Sequence, residues 1–161
     1  MRKPNLTPAR RARLIQLADF LDTLPKRTRK FNMRLWFDDK KNTFNEGDYI
    51  KAPTEIMHNC GTAACALGWA PAAGLTVPPR YIFTTYLGLS GVNWFDFAKD
   101  FVGDRNLAHS WCFSGNWTTI DNTPHGAAAR IRYLLHRGDV PANFDGNPRR
   151  LHREIYERFR K

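Results

Sequence analysis

A chain of 161 residues fits one domain, long enough to bury a real core without help from disulfides or metals. At 42% hydrophobic and 13% aromatic its composition is globular, and no apolar run approaches the ~20 residues that a membrane helix needs. The formal charge of +10 is unevenly spread: residues 1–34 carry ten Lys/Arg against two Asp, residues 130–161 nine against four, and residues 35–129 six against nine. Two basic ends flanking a slightly acidic middle attract polyanions, of which nucleic acid is the commonest in a cytosol.

The first helix is expected over residues 7–24. Thr7 is a hydroxyl cap, Pro8 takes the first helical position, where its missing N–H costs nothing, and Pro25 ends the pattern. Leu14, Leu17, Ala18 and Leu21 recur at helical spacing between them, with Ile15 widening the stripe. Arg10, Arg11 and Arg13 crowd the amino end, where the helix dipole disfavours cations. A phosphate ligand would offset that cost, and so would simple screening by salt. Lys26, Arg27, Arg29 and Lys30 form a basic linker, after which Phe31 to Phe37 is mixed and apolar, either core or a stacking surface for bases. Residues 38–50 are polar, with a turn expected at Asn45-Glu46-Gly47-Asp48. They read as a surface loop or a short hairpin between Trp36-Phe37 and Tyr49-Ile50, the only strand content expected.

A short buried helix is expected to begin at Gly61 or Thr62, and another at Pro78-Pro79. Val92 to Val102 is an aromatic helix stopped by Gly103, and Asp104 can cap a further turn over Arg105 to Cys112. Asn122 or Thr123 caps a helix with Pro124 at its first position. Ala127, Ala128, Ile131, Leu134 and Leu135 form its inner face and Gly138 is its stop. Asn147-Pro148 starts a last, basic helix over 147–160, with Leu151, Ile155 and Phe159 on one side. The expected architecture is mainly α: a single compact domain, 1–161, of about seven mostly short helices with at most a small β-hairpin.

Several constellations could carry chemistry. If a helix starts at Gly61 or Thr62, Cys60 lies at its amino edge, where free N–H groups and the dipole favour a thiolate. A thiol hydrolase or transferase would need a histidine in reach, and His125 and His109 are the available bases. Both lie in helical patterns, unlike the strand histidine of the papain-like enzymes that Asn59-Cys60-Gly61 superficially resembles. His58, Cys60, Cys65, His109 and Cys112 are candidate zinc ligands, although no Cys-x-x-Cys spacing is present. The odd number of cysteines argues for thiols over disulfides. The competing reading makes Cys65, Ala66, Gly68 and Trp69 a packing hub, since buried cysteine behaves as a small hydrophobe. For an anionic partner the candidates are Arg10, Arg11, Arg13, Lys26, Arg27, Arg29, Lys30, Arg149, Arg150 and Arg153.

Phe31-Asn32-Met33-Arg34-Leu35-Trp36, followed by Cys60-Gly61-Thr62 through Cys65, Gly68, Trp69 and Ala70, resembles a set of small, uncharacterised bacterial and phage proteins. Tyr86 to Leu89 and Thr123-Pro124 through Ile131 are similar to their downstream part, so the likeness spans about residues 31–137. It implies a phage or mobile-element origin and brings no activity with it. Together these readings lead us to expect a non-enzymatic phage-type accessory or inhibitor protein without a cofactor. It would act in the cytoplasm, that of the host if phage-encoded, and bind nucleic acid or a host complex that handles it, away from any membrane. A thiol enzyme and a virion-associated structural part are the alternatives.

Overall fold

The computed structural model describes residues 4–28, 31, 33, 37–39, 62–76, 94–103, 107–113 and 121–141. The described part is mainly α, with helices α1 (Pro8–Thr23), α2 (Trp94–Val102), α3 (Ala108–Phe113) and α4 (Pro124–Arg137), plus strands β1 (Phe37–Asp39) and β2 (Thr62–Ala64). Four helices thus stand among the described residues in place of the seven expected for the chain. The expected helices at Pro78 and over 147–160 lie outside them.

The caps of α1 and α4 follow the sequence signals. Thr7 Oγ1 accepts the Arg10 N–H at 3.3 Å and Thr123 Oγ1 the Gly126 N–H at 3.2 Å, each followed by proline at the first position. Gly138 closes α4 in the left-handed region at φ 67° and donates to the Leu134 carbonyl at 2.8 Å, a conformation glycine adopts without a Cβ penalty.

Two local expectations are corrected. The helix anticipated at Gly61 or Thr62 is instead β2, followed by a run of helical turns over 66–74. Strand content, expected only between Trp36 and Ile50, extends to β2, which pairs antiparallel with β1, Phe37 opposite Ala64 and Asp39 opposite Thr62; Tyr49 and Ile50 lie outside the described residues. Small residues carry no period that separates strand from helix, and a pairing across more than 20 residues leaves no local trace in the sequence. The helix expected over Arg105 to Cys112 spans Ala108–Phe113.

α1 and α4 pack side by side as the main interface, with Leu14, Leu17, Ala18 and Leu21 buried on one helix and Ala127, Ala128, Ile131 and Leu134 on the other. Arg132 of α4 reaches back to Asp19 at 2.8 Å and also pairs with Asp22, both on α1. Behind this pair, Phe97, Phe101 and Phe113 stack edge to face at centroid distances of 5.6 and 5.9 Å, and Trp111 meets Tyr133 at 5.7 Å. Such edge-to-face contacts suit the ring quadrupoles. Trp69, half-buried, lies against Phe20 at 6.3 Å, which ties the turns over 66–74 to α1.

Gly126 sits under the loop that enters α4, and a Cβ there would overlap the Asp121 carbonyl oxygen. Gly126→Ala should therefore lower stability by about 2 kcal/mol, the usual size of an overpacking penalty, although alanine is the better helix former. Urea denaturation measures it; an unchanged or raised midpoint would contradict the close approach.

Candidate functional site

The three arginines at the start of α1, Arg10 and Arg13 half-buried and Arg11 exposed, donate to the ends of other helices. Arg10 Nε donates to the Asp100 carbonyl at 2.8 Å, its Nη1 donates to Asn5 O at 2.9 Å, and its Nη2 lies 3.5 Å from the Asp100 carboxylate. Arg13 Nη2 donates to the same Asp100 carbonyl at 3.2 Å while its guanidinium lies 4.9 Å over the Phe101 ring. Arg11 Nη2 donates to the Leu135 carbonyl at 3.0 Å. Asp100 and Leu135 belong to the last turns of α2 and α4, where carbonyls have no partner within their own helix and the dipole is negative. Cations that oppose the dipole of their own helix thus complement those of two others.

The same rule extends around α1. Gln16 Nε2 donates to the Ala73 carbonyl at 2.7 Å, at the end of the turns over 66–74. His125 Nε2 lies 2.8 Å from the Leu24 carbonyl at the end of α1. Since a carbonyl only accepts, that ring nitrogen carries the proton. His125, weighed as a catalytic base, has this nitrogen committed to a helix cap.

The thiols take their places in the core. Cys65 stands at the start of the turns over 66–74, and it is buried. Burial pushes its thiol up to about 11, against the pull of the Gly68 and Leu67 backbone N–H groups aimed at the sulfur. The neighbouring Ala66 N–H donates to Met33 Sδ at 3.4 Å, so sulfur atoms cap the opening of this turn. Cys112 is also buried, and desolvation pushes it up to about 12, with the Arg130 charge acting in the opposite sense. Both are therefore protonated at neutral pH, the state that suits packing and not nucleophilic attack. Cys65, Ala66 and Gly68 are buried and Trp69 is half-buried against the core, the arrangement the packing reading calls for. His58 and Cys60 lie outside the described residues. β2 occupies Thr62–Ala64, where the helix expected beside Cys60 was to begin. His109 and Cys112 share α3 and are buried, and no group of three or more His, Cys, Asp or Glu that could hold a metal occurs among the described residues.

Arg130 is the residue the sequence reading missed. It is fully buried on the inner side of α4, its Nη1 donates to Asn122 Oδ1 at 3.4 Å, and its Nε and Nη2 have no hydrogen-bond partner among the described residues. Desolvation lowers it to about 10, against the attraction of Cys112 and Asp121, so it stays charged at neutral pH. The signal was available: Arg130 lies three residues after Ala127 and four before Leu134, on the stripe that had to be internal.

Of the remaining candidates, Lys26 and Arg27 are exposed in the turn that leaves α1, while Arg29, Lys30, Arg149, Arg150 and Arg153 lie outside the described residues. Phe31, considered for base stacking, is half-buried and packed against the core. No helix among the described residues is long and apolar enough to cross a membrane. In comparisons with known proteins, no family model, no curated protein and no solved structure matches the chain.

The raised thiol of Cys65 has a consequence for stability against pH. Below pH 9 it is protonated in both folded and unfolded chains. Above pH 9 the unfolded chain loses its proton first, so the stabilisation falls away as pH approaches about 11. Urea unfolding of wild type between pH 8.5 and 10 should show a steeper decline than Cys65→Ala, which keeps Arg130 and Cys112, the other buried titrating groups. Equal slopes would contradict the buried thiol.

Proposed function

We propose that the protein is a non-enzymatic accessory or inhibitor protein of phage type that binds nucleic acid, or a host complex that handles it, through its basic ends. The observation that carries this reading is the charge distribution, a net +8 over residues 1–34 and +5 over 130–161 around a middle of −3. Excess cations gathered at two ends of one chain provide the sequence-independent attraction that phosphate backbones supply to any basic surface. Cys65 and Cys112 are buried and protonated, whereas Cys60, on which the alternative thiol-enzyme reading rests, lies outside the described residues. On this reading the site of action is the cytoplasm of a host cell, and no cofactor takes part.

Anisotropy of a fluorescent 20-base-pair DNA duplex and a 20-nucleotide RNA, titrated between about 50 and 200 mM KCl, tests it. Binding to at least one probe should weaken roughly a hundredfold over that range, as about four phosphate contacts require. Absence of binding to either probe at the lowest salt, together with no recovery of nucleic acid or nucleoprotein from a host extract, would overturn the reading.

A further inference from the structure

We infer that the phosphate-contacting surface of the amino-terminal third is the turn leaving α1, with Lys26 and Arg27 as its contacts, and not the arginines at the start of that helix. This assignment rests on the nucleic-acid reading above and divides the basic residues by what the fold has already done with them. Arg10 and Arg13 give their donors to Asn5, Asp100 and the Phe101 ring. Arg132 is held between Asp19 and Asp22, and Arg130 is buried. To reach a phosphate, Arg10 or Arg13 must leave the end of α2, which would remove one of the two donors on the Asp100 carbonyl.

Lys26 and Arg27 are different. Both are exposed, and among the described residues neither takes part in a hydrogen bond, ion pair or ring contact. The turn itself is fixed: Thr28 Oγ1 donates to the Pro25 carbonyl at 2.6 Å and Phe31 N donates to Thr28 O at 3.0 Å. Two cations are thus displayed from an ordered base, which lessens the ordering cost of contact.

The electrostatic surroundings favour an anion there. The carboxyl end of α1, negative by itself, meets the amino end of α4 through the His125 to Leu24 hydrogen bond, so the partial charges of the two helix ends offset each other. The acids on the adjoining elements are occupied, Asp22 by Arg132 and Asp121 Oδ1 by the Thr123 N–H at 2.8 Å. Along the sequence no Asp or Glu occurs from Thr23 to Phe37, a stretch that also holds Arg29, Lys30 and Arg34. The opposite end of α1 is less favourable: exposed Arg11 and Arg137 lie there, but Arg11 donates to Leu135 O, and Asp100 and Asp139 belong to the adjoining helix ends. A sequence-independent phosphate backbone is the partner that fits two adjacent, unpaired cations.

The test compares wild type with Lys26→Glu/Arg27→Glu and with Arg11→Glu/Arg137→Glu, using the same DNA duplex and RNA probes. The first pair should reduce the slope of log K against log salt on the duplex by about 1.8, two contacts at ~0.9 each, while its urea midpoint stays within that expected for surface substitutions. The second pair should change the slope less. Wild type that binds while Lys26→Glu/Arg27→Glu keeps its full slope overturns this assignment but leaves the nucleic-acid reading standing. Wild type that binds neither probe overturns both.

Discussion

A helix leaves its last carbonyls without partners, and a small domain of short helices has many such ends for its length. In this protein the donors come from neighbouring elements, and α1 supplies most of them: Arg10 and Arg13 for α2, Arg11 for α4, and Gln16 for the turns over 66–74. α4 returns the favour through His125, which reaches the end of α1. Because α1 and α4 run antiparallel, each presents its amino-terminal side chains to the other's carboxyl end, and the Arg132 pairs with Asp19 and Asp22 add a charged contact between them. Apolar packing provides most of the driving force, at roughly 25 cal/mol per Å² of buried surface. These polar contacts fix the register in which that packing occurs.

The arrangement changes the meaning of the basic amino terminus. A cluster of arginines at a helix start is, on sequence alone, an invitation to phosphate, and the charge total encourages that view. Three-dimensional context divides the cluster into cations that hold the fold and cations that face outward, and only the second group can exchange partners without loss of structure. Net charge measures attraction to a polyanion; it does not say which side chains make the contact.

Much of the fold was legible. Thr7-Pro8 and Pro25 bound α1, Thr123-Pro124 and Gly138 bound α4, and the aromatic run ending at Gly103 gave α2, because caps and helical periodicity are local chemistry. The stretch around Cys65 was not legible: Ala, Gly, Cys and Thr fit a strand, a helix or a turn, and the choice was made by β1, distant in sequence. The site fared similarly. That Cys65 is buried could be anticipated from its small neighbours, but its place at the start of a helical run depends on where β2 stops. The partners of Arg10, Arg11 and Arg13 are carbonyls, which every residue owns, so nothing in the sequence marks which ones will be near.

The central claim is that α1 and α4 form one cooperative unit because each caps and packs the other. Native-state amide hydrogen exchange tests it directly, since opening free energies are resolved residue by residue. The slowest amides of α1, near Leu17 and Leu21, and of α4, near Ile131 and Leu134, should open with the same free energy, equal to that of global unfolding. If the α1 amides exchange through an opening well below the global value while α4 stays protected, the mutual dependence of the two helices is wrong.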